Sequence, residues 1–309
     1  MMDNERGTVK IISLVSLLRP KQWTKNLLLL AGLIFSANFL KPDLLAQSLI
    51  AFFSFCFLSS SVYIINDLTD LEDDKKHPRK RLRPLAAGRL TKKEACAALA
   101  VVLLLSVALT WAVNLNFLLI CALYFALSLA YSFWLKYIVI LDVFAIAFGF
   151  ILRAVAGGAA VHVEISPWLL LCTLFLSLFL ALTKRRQETA NIGESSEVGA
   201  KEGATEGLKE KSAAGRSVLE HYSLPFLDQL LSVVTAATIL SYSTYTFTAS
   251  SSPYFMLTIP FVIYGIFRYL YLVHKKNLGE NPEEILLTDP PMIIAVFLWL
   301  LSCILILHS

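Results

Sequence analysis

The sequence predicts an all-α protein, a polytopic membrane helical bundle of about nine transmembrane helices. Apolar residues make up 57% of the 309 positions and charged residues only 16%, against about 25% in soluble domains. Apolar runs of about 20 residues, the length that crosses a bilayer as a helix, recur along the chain. We therefore expect residues 1–309 to form one integral-membrane domain.

The predicted spans are 27–40, 46–66, 93–112, 114–132, 138–159, 167–184, 226–247, 253–273 and 291–308. If the N-terminus is cytoplasmic, 24 of the 27 Lys and Arg residues lie in cytoplasmic segments, the asymmetry expected of membrane proteins. We therefore predict a multi-pass protein with a cytoplasmic N-terminus and an external C-terminus, and we expect its membrane to be the inner (plasma) membrane. The candidate chemical segments then share the cytoplasmic face.

Cysteine and histidine make no cluster that suggests a zinc or disulfide site. The five cysteines are widely spaced and form no CxxC pair, so we interpret them as small packing residues. The five histidines are equally scattered.

A cytoplasmic aspartate-rich loop is predicted at residues 67–93, directly after the second span. If the preceding helix continues, 100° per residue places Asn66, Asp67, Asp70 and Asp74 within about a quarter of its circumference. Oxygen ligands on one face suit Mg²⁺, which takes one or two carboxylates and then substrate phosphates. The cations Arg79, Lys80 and Arg83 follow and suit the same phosphates. The alternative is an ordinary solvated loop of mixed charge.

The pattern NDxxDxxxD followed by HPxKxxRPLAAG resembles the first aspartate-rich motif of the UbiA-type intramembrane prenyltransferase superfamily. Standard members of that superfamily have two aspartate-rich motifs and move a prenyl group from a prenyl diphosphate to an aromatic acceptor. Here no aspartate occurs between residues 143 and 227, and the sixth span ends in Lys184-Arg185-Arg186-Gln187-Glu188. Replacing carboxylates by cations exchanges metal ligands for direct phosphate contacts.

Further candidates for substrate binding lie near other span ends. Lys21, Gln22, Lys25 and Asn26 precede the first span, where Trp and Lys also serve as interfacial anchors. Lys136 follows the fourth span. Lys184, Arg185 and Glu188 end the sixth span, where an ordinary positive-inside cap is the alternative.

Asp142 and Arg153 fall within the fifth span, eleven residues apart and therefore on one stripe of a helix. Ionisable residues at this depth usually face the bundle interior and mark functional sites. An internal polar pair, or outward snorkelling of Arg153, is the alternative. Residues 187–219 are rich in Gly, Ala, Ser, Glu and Lys and predict a flexible cytoplasmic loop.

Segments including RPKQWTKN, YSFWLK, LDVFAIAFGFILRAVAGG and TKRRQE resemble one branch of the superfamily, the decaprenyl-phosphate phosphoribosyltransferases. The resemblance covers about residues 19–290 and implies a glycosyl transfer for cell-envelope precursor synthesis. Phosphoribosyl pyrophosphate would give its 5-phosphoribosyl group to a polyprenyl phosphate. The implied partners are these two substrates and the lipid bilayer, with no nucleic acid.

The same resemblance implies Mg²⁺ held on the pyrophosphate by Asp67, Asp70, Asp74 and Asn66, with the lysines and arginines on the other phosphates. Two other functions remain open from the sequence. One is an aromatic prenyltransferase of quinone, haem or pigment synthesis, which the missing second acidic motif disfavours. The other is a transporter or flippase for a phosphorylated lipid, which the clustered carboxylates disfavour.

Overall fold

The computed structural model describes residues 2–35, 40–77, 80–201, 217–248, 252–276, 285 and 288–308. Within these ranges the regular structure is helical and contains no strand, so the all-α prediction is confirmed. In chain order the α-helices described are α1 (Met2–Leu17), α2 (Ala31–Phe35), α3 (Pro42–Thr69), α4 (Leu71–Lys76), α5 (Lys92–Val113), α6 (Leu115–Phe133), α7 (Leu141–Ala160), α8 (Pro167–Lys201), α9 (Leu224–Thr248), α10 (Ile259–Lys276) and α11 (Pro290–His308). Short 3₁₀ segments join them at Pro20–Leu30, Lys80–Leu82, Leu135–Tyr137, Ser217–His221 and Pro253–Thr258.

Seven helical stretches among the described residues are long and apolar enough to cross a membrane. They comprise α3, α5, α6, α7 and α9, the Pro167–Ile192 part of α8, and Pro253–Lys275, which includes α10. A shorter apolar stretch, Pro290–Ile306, corresponds to the ninth predicted span. The chain is therefore an integral membrane protein, and the predicted spans from the second to the ninth coincide with helices.

The first predicted span, 27–40, differs from a continuous α-helix. The 3₁₀ segment Pro20–Leu30 runs through its beginning, α2 covers only Ala31–Phe35, and residues 36–39 lie outside the described ones. The segment packs against α7, and its buried Asn26 hydrogen-bonds to Ser59 on α3. Close packing and internal polar contacts therefore shape this segment, which its apolar composition alone does not show.

Helix α7 is central because two apolar clusters meet on it. Its first half packs against α8 and belongs to a cluster that α9 and α10 complete, and its second half packs against α3 and α6. Buried small residues, among them Ala147, Ala154, Ala156 and Ala160, let the neighbouring helices approach closely. Ionisable side chains on this helix are consequently placed inside the bundle.

The turn that closes the acidic segment is fixed by backbone contacts. Gly88 has φ +71°, a conformation that glycine adopts without steric cost. The N–H of Arg89 then donates to the carbonyl oxygen of Pro84 at 2.9 Å. Helix α5 begins directly afterwards with a capping box between Thr91 and Glu94. This geometry fixes the chain that carries Arg83.

Helix α8 continues beyond the end of the predicted sixth span. It reaches Lys201, so residues 187–201 are helical although the sequence analysis placed them in the flexible loop. Gly193 and the serines near it lower helix propensity, but adding residues to an existing helix costs far less than starting one. Residues 202–216 lie outside the described ones, and the flexibility of this part stays a prediction.

Gly157 is a point where the backbone of α7 meets the 3₁₀ segment. A Cβ atom built there would lie 2.0 Å from the carbonyl oxygen of Leu29. We expect Gly157→Ala to lower the free energy of unfolding by about 1–3 kcal/mol, the usual cost of overpacking. The thermal midpoint in detergent measures this. Gly265→Ala is the matched control, since its Cβ would meet only Met292 Sδ at 3.9 Å, and an unchanged midpoint in both variants would contradict the prediction.

Candidate active site

The end of α3 and the short helix α4 place Asp67 and Asp74 side by side. Each side chain is almost fully buried, and an oxygen of each contacts the same Nη1 atom of Arg83, which lies 3.1 Å from Asp67 Oδ1. Arg19 contacts the same Asp67 oxygen through Nη2. The spacing argument placed both carboxylates on one face, and the structure gives them this shared contact.

Asp70 lies between α3 and α4 and faces a different cation. Its Oδ1 accepts a hydrogen bond from Lys136 Nζ at 2.7 Å. Lys136 is only 5% exposed and belongs to the 3₁₀ segment after α6. The contact brings together the two segments that follow α3 and α6, which the sequence predicted to share one side of the membrane.

A second charged group connects α7 with α8. Arg185 donates through Nε to Asp142 Oδ2 at 2.6 Å, and it contacts Glu188 through Nη1 and the hydroxyl of Tyr131 through Nη2. Arg185 is 1% exposed and Asp142 is fully buried. The sequence analysis predicted that Arg185 contacts phosphate directly. In the structure its guanidinium nitrogens contact side chains inside the protein. The observed geometry makes Arg185 a buried connector between helices.

Tyr222 completes this group from the segment that precedes α9. Its hydroxyl donates to Asp142 Oδ1 at 2.7 Å and accepts from the N–H of Ile140 at 2.8 Å. Burial raises the pKa of Tyr222 above its usual range, so the hydroxyl keeps its proton near neutral pH. Ile140 has φ +71°, which for a β-branched residue stores about 1–3 kcal/mol of strain.

Arg153 and Asn26 form a separate group deeper along α7. Arg153 donates to Asn26 Oδ1 at 3.0 Å and to Tyr124 Oη at 2.8 Å. Its guanidinium also lies 4.9 Å from the ring centroid of Phe150. The sequence analysis predicted that Asn26 and Arg153 contact substrate. Its alternative for Arg153 was an internal pair with Asp142. Instead Asp142 pairs with Arg185, and Arg153, which is 6% exposed, does not reach outward.

The remaining candidates lie at varied depths. Lys21 is exposed, and Arg79 lies outside the described residues. Five others are half-buried: Gln22, Lys25, Asn66, Lys80 and Lys184. Their substrate contacts stay predictions.

Two site residues were missed by the sequence. Arg19 has φ 52° at the start of the 3₁₀ segment and reaches Asp67 from 48 positions earlier. Tyr222 contacts partners 80 and 82 positions away. The sequence signal for each residue was its position. Arg19 precedes Pro20 in the basic RPKQWTKN segment, and Tyr222 stands shortly before a predicted span.

The residues fit a divalent cation that arrives together with phosphate. No group of three or more His, Cys, Asp or Glu side chains among the described residues is arranged to hold a metal ion by itself. Asp67 and Asp74 nevertheless present oxygens to one cationic nitrogen of Arg83, so these two carboxylates could hold a divalent cation. Mg²⁺ typically uses one or two carboxylates and completes its shell with water and phosphate oxygens.

Comparison with known sequences identifies the fold family. The profile of the UbiA prenyltransferase family matches residues 27–301. The chain belongs to this family. The resemblance to the UbiA superfamily, which the aspartate-rich motif indicated, is therefore confirmed.

Curated UbiA relatives with high coverage carry a more specific name. The chain is similar to the decaprenyl-phosphate phosphoribosyltransferase of Mycolicibacterium smegmatis, with 33% identity over 94% of this chain and 91% of the relative. It is 32% identical to the protein of the same name from Corynebacterium glutamicum, over 96% of this chain and 86% of the relative.

Solved UbiA structures share the fold. A UbiA homolog from Archaeoglobus fulgidus, bound to GPP and Mg²⁺, superposes with a TM-score of 0.70 at 20% identity and covers 96% of this chain and all of that one. The same homolog bound to Cd²⁺ gives a TM-score of 0.65 at 21% identity, with the same coverage.

Proposed function

We propose that this protein transfers the 5-phosphoribosyl group of phosphoribosyl pyrophosphate to a polyprenyl phosphate of the decaprenyl type, in a Mg²⁺-dependent reaction. The observation that carries the proposal is the near full-length similarity to enzymes named decaprenyl-phosphate phosphoribosyltransferase. The cationic sequence at residues 184–188, where the family resemblance predicts a second acidic motif, supports it. The product is a lipid-linked pentose phosphate for the cell envelope.

The transfer breaks the bond between ribose C1 and a pyrophosphate oxygen, and that oxygen keeps the electron pair. A phosphate oxygen of the lipid forms the new bond to C1 from the opposite face. Because a phosphate monoester is already an anion near neutral pH, its attack requires no strong general base. The protein's task is then to orient two anionic substrates and to stabilise the charge on the leaving pyrophosphate.

Asp67, Asp70 and Asp74, with Asn66 beside them, would hold the magnesium ion. When bound, the ion supplies Lewis-acid stabilisation of the departing pyrophosphate. Arg19 and Arg83 already touch Asp67, so they are placed to bind pyrophosphate oxygens next to it. Each guanidinium offers paired donors that suit phosphate oxygens.

The other cations would bind the 5-phosphate and the lipid phosphate. Candidates for these contacts are Lys21, Gln22, Lys25, Arg79, Lys80, Lys136 and Lys184. Arg185 and Asp142 act indirectly in this proposal because both are buried in contact with each other. Glu188, which also contacts Arg185, belongs with them, and Arg153 and Asn26 hold the 3₁₀ segment that carries Lys21 and Lys25.

The proposal includes the orientation predicted from the charged loops. The N-terminus and the site face the cytoplasm and the C-terminus is external, in the inner (plasma) membrane. Phosphoribosyl pyrophosphate is a soluble, strongly anionic donor, and a cytoplasmic site gives it direct access. The polyprenyl phosphate reaches the same site from the bilayer.

A second candidate function is prenyl transfer to an aromatic acceptor. The observation that favours it is a structural neighbour bound to GPP, a prenyl diphosphate. A donor experiment separates the two. Purified protein in detergent receives Mg²⁺ and polyprenyl phosphate with labelled phosphoribosyl pyrophosphate, or a labelled prenyl diphosphate with an aromatic acid.

We expect label to enter an organic-extractable lipid only with phosphoribosyl pyrophosphate. Removal of divalent metal by EDTA should abolish the transfer, and excess Mg²⁺ should restore it. Transfer only from the prenyl diphosphate would establish the second candidate instead. Transfer from neither donor would favour a lipid transporter, which vesicles containing labelled polyprenyl phosphate would test.

A further inference from the structure

The turn between α6 and α7 is held in an unusual conformation by a residue from a distant segment. Ile140 stands at the N-terminal boundary of α7 with φ +71° and ψ −47°. A β-branched side chain disfavours this conformation, so the surroundings must maintain it. The backbone N–H of Ile140 donates to the hydroxyl of Tyr222 at 2.8 Å.

Tyr222 uses the same hydroxyl to hold Asp142. It donates to Asp142 Oδ1 at 2.7 Å, while Arg185 occupies Oδ2 at 2.6 Å. Both oxygens of this buried carboxylate are therefore engaged. Because Tyr222 is 4% exposed, water cannot readily replace its hydroxyl.

The same turn carries Lys136, whose ammonium group contacts Asp70 at 2.7 Å. Only three residues separate Lys136 from Ile140, and both precede α7. A change in the backbone at Ile140 therefore moves the attachment point of the lysine that faces Asp70. One hydroxyl thus fixes the backbone of the turn and the carboxylate that follows it.

We propose that Tyr222 is a positioning residue for the donor site. It holds the turn over residues 134–141 with Ile140 at positive φ and thereby keeps Lys136 against Asp70. The inference rests on the proposed function, and it assigns Lys136, one of the phosphate-binding candidates there, to phosphoribosyl pyrophosphate. Tyr222 touches no reacting atom and acts through the turn.

Tyr222→Phe tests the inference because it keeps the ring and removes only the hydroxyl. In the full-length protein, we expect KM for phosphoribosyl pyrophosphate to rise about tenfold, corresponding to two lost hydrogen bonds. The kcat value should stay within about threefold, and KM for polyprenyl phosphate should not change. Tyr254→Phe, at a position 64% exposed, is the matched control and should leave all three values unchanged.

Ile140→Gly supplies a rescue that a merely structural role would not predict. Glycine adopts φ +71° without strain, so the turn no longer depends on the hydroxyl. In the Ile140→Gly background, Tyr222→Phe should raise the donor KM by less than about threefold. The same tenfold rise in both backgrounds, or a fall in kcat at constant donor KM, would overturn the inference.

Hydrogen–deuterium exchange of the ligand-free protein separates this inference from the proposed function. Peptides covering residues 134–142 should exchange faster in Tyr222→Phe than in the wild type or in Tyr254→Phe. Unchanged exchange would refute the role of Tyr222 even if transfer occurs. Faster exchange in a protein that transfers no phosphoribose would support the turn contact and refute the proposed function.

Discussion

Replacing Asp74 by Asn is expected to lower the rate of phosphoribosyl transfer by at least about 100-fold, the size of effect seen when one charge-stabilising group is removed from an active site. The substitution keeps the size of the side chain and removes its charge. Asp74 is 2% exposed and shares Arg83 with Asp67. Its loss removes a carboxylate from the proposed metal position and leaves Arg83 with one acidic partner fewer. The initial rate with labelled donor measures the effect.

Asp73→Asn is the matched control, because Asp73 is the preceding residue of the same helix and is exposed. We expect its rate to stay within about twofold of the wild type. Equal losses in both variants would indicate that overall negative charge matters and that the buried face does not. Full activity of both variants would remove Asp74 from the mechanism.

Arg185→Met is expected to destabilise the protein by about 3–5 kcal/mol. Methionine replaces the aliphatic part of the arginine side chain, but it leaves Asp142, which is 0% exposed, without its guanidinium partner. Removing one member of a buried ion pair costs about this much because a charge then remains uncompensated in the interior. The thermal midpoint in detergent should fall by about 6 °C or more.

Arg186→Met controls for the loss of an arginine from the same helix. Arg186 pairs with Asp228, which is 43% exposed, and such a pair is worth only about 0–1 kcal/mol. The double variant Arg185→Met/Asp142→Asn should regain part of the lost stability because it also removes the uncompensated carboxylate. Similar midpoints for the two single variants would show that the contacts of Arg185 contribute little.

Much of the fold followed from periodicity and composition. Apolar runs located α3 and the helices from α5 to α11 because bilayer thickness fixes their length. Helical spacing predicted one face for Asn66, Asp67, Asp70 and Asp74, but the helix is interrupted at Asp70. Asp67 and Asp74 still share Arg83, whereas Asp70 contacts Lys136. Such local regularities are encoded within a few turns of helix.

The contacts between helices did not follow from the sequence. Asp142 and Arg153 share a stripe, yet Asp142 pairs with Arg185, 43 positions later. Helical spacing predicts which face of a helix carries a side chain. The partner of that side chain depends on which neighbouring helix packs against the face. Arg185 also illustrates that a cation near a span end can turn inward, since its surroundings supply two carboxylates and a hydroxyl.

The first predicted span differs from a continuous α-helix for a related reason. Its composition is that of a membrane helix, but Asn26 directly before it is buried and hydrogen-bonded to Ser59 and Cys56. The geometry of residues 20–35 depends on these tertiary contacts. The average hydropathy of a segment cannot predict such tertiary contacts.

The partners of Arg153 are synthesised before it, which affects how α7 can insert into the membrane. An arginine near the centre of a span costs about 2.5–3.5 kcal/mol on insertion scales. Asn26 and Tyr124, which accept its hydrogen bonds, both precede it in the chain and leave the ribosome earlier. Asp142 is in the opposite situation, because Arg185 and Tyr222 are translated after it. The two charged groups of α7 are thus completed at different stages of biogenesis, the arginine group as α7 enters the membrane and the aspartate group only after the segment that precedes α9 has been made.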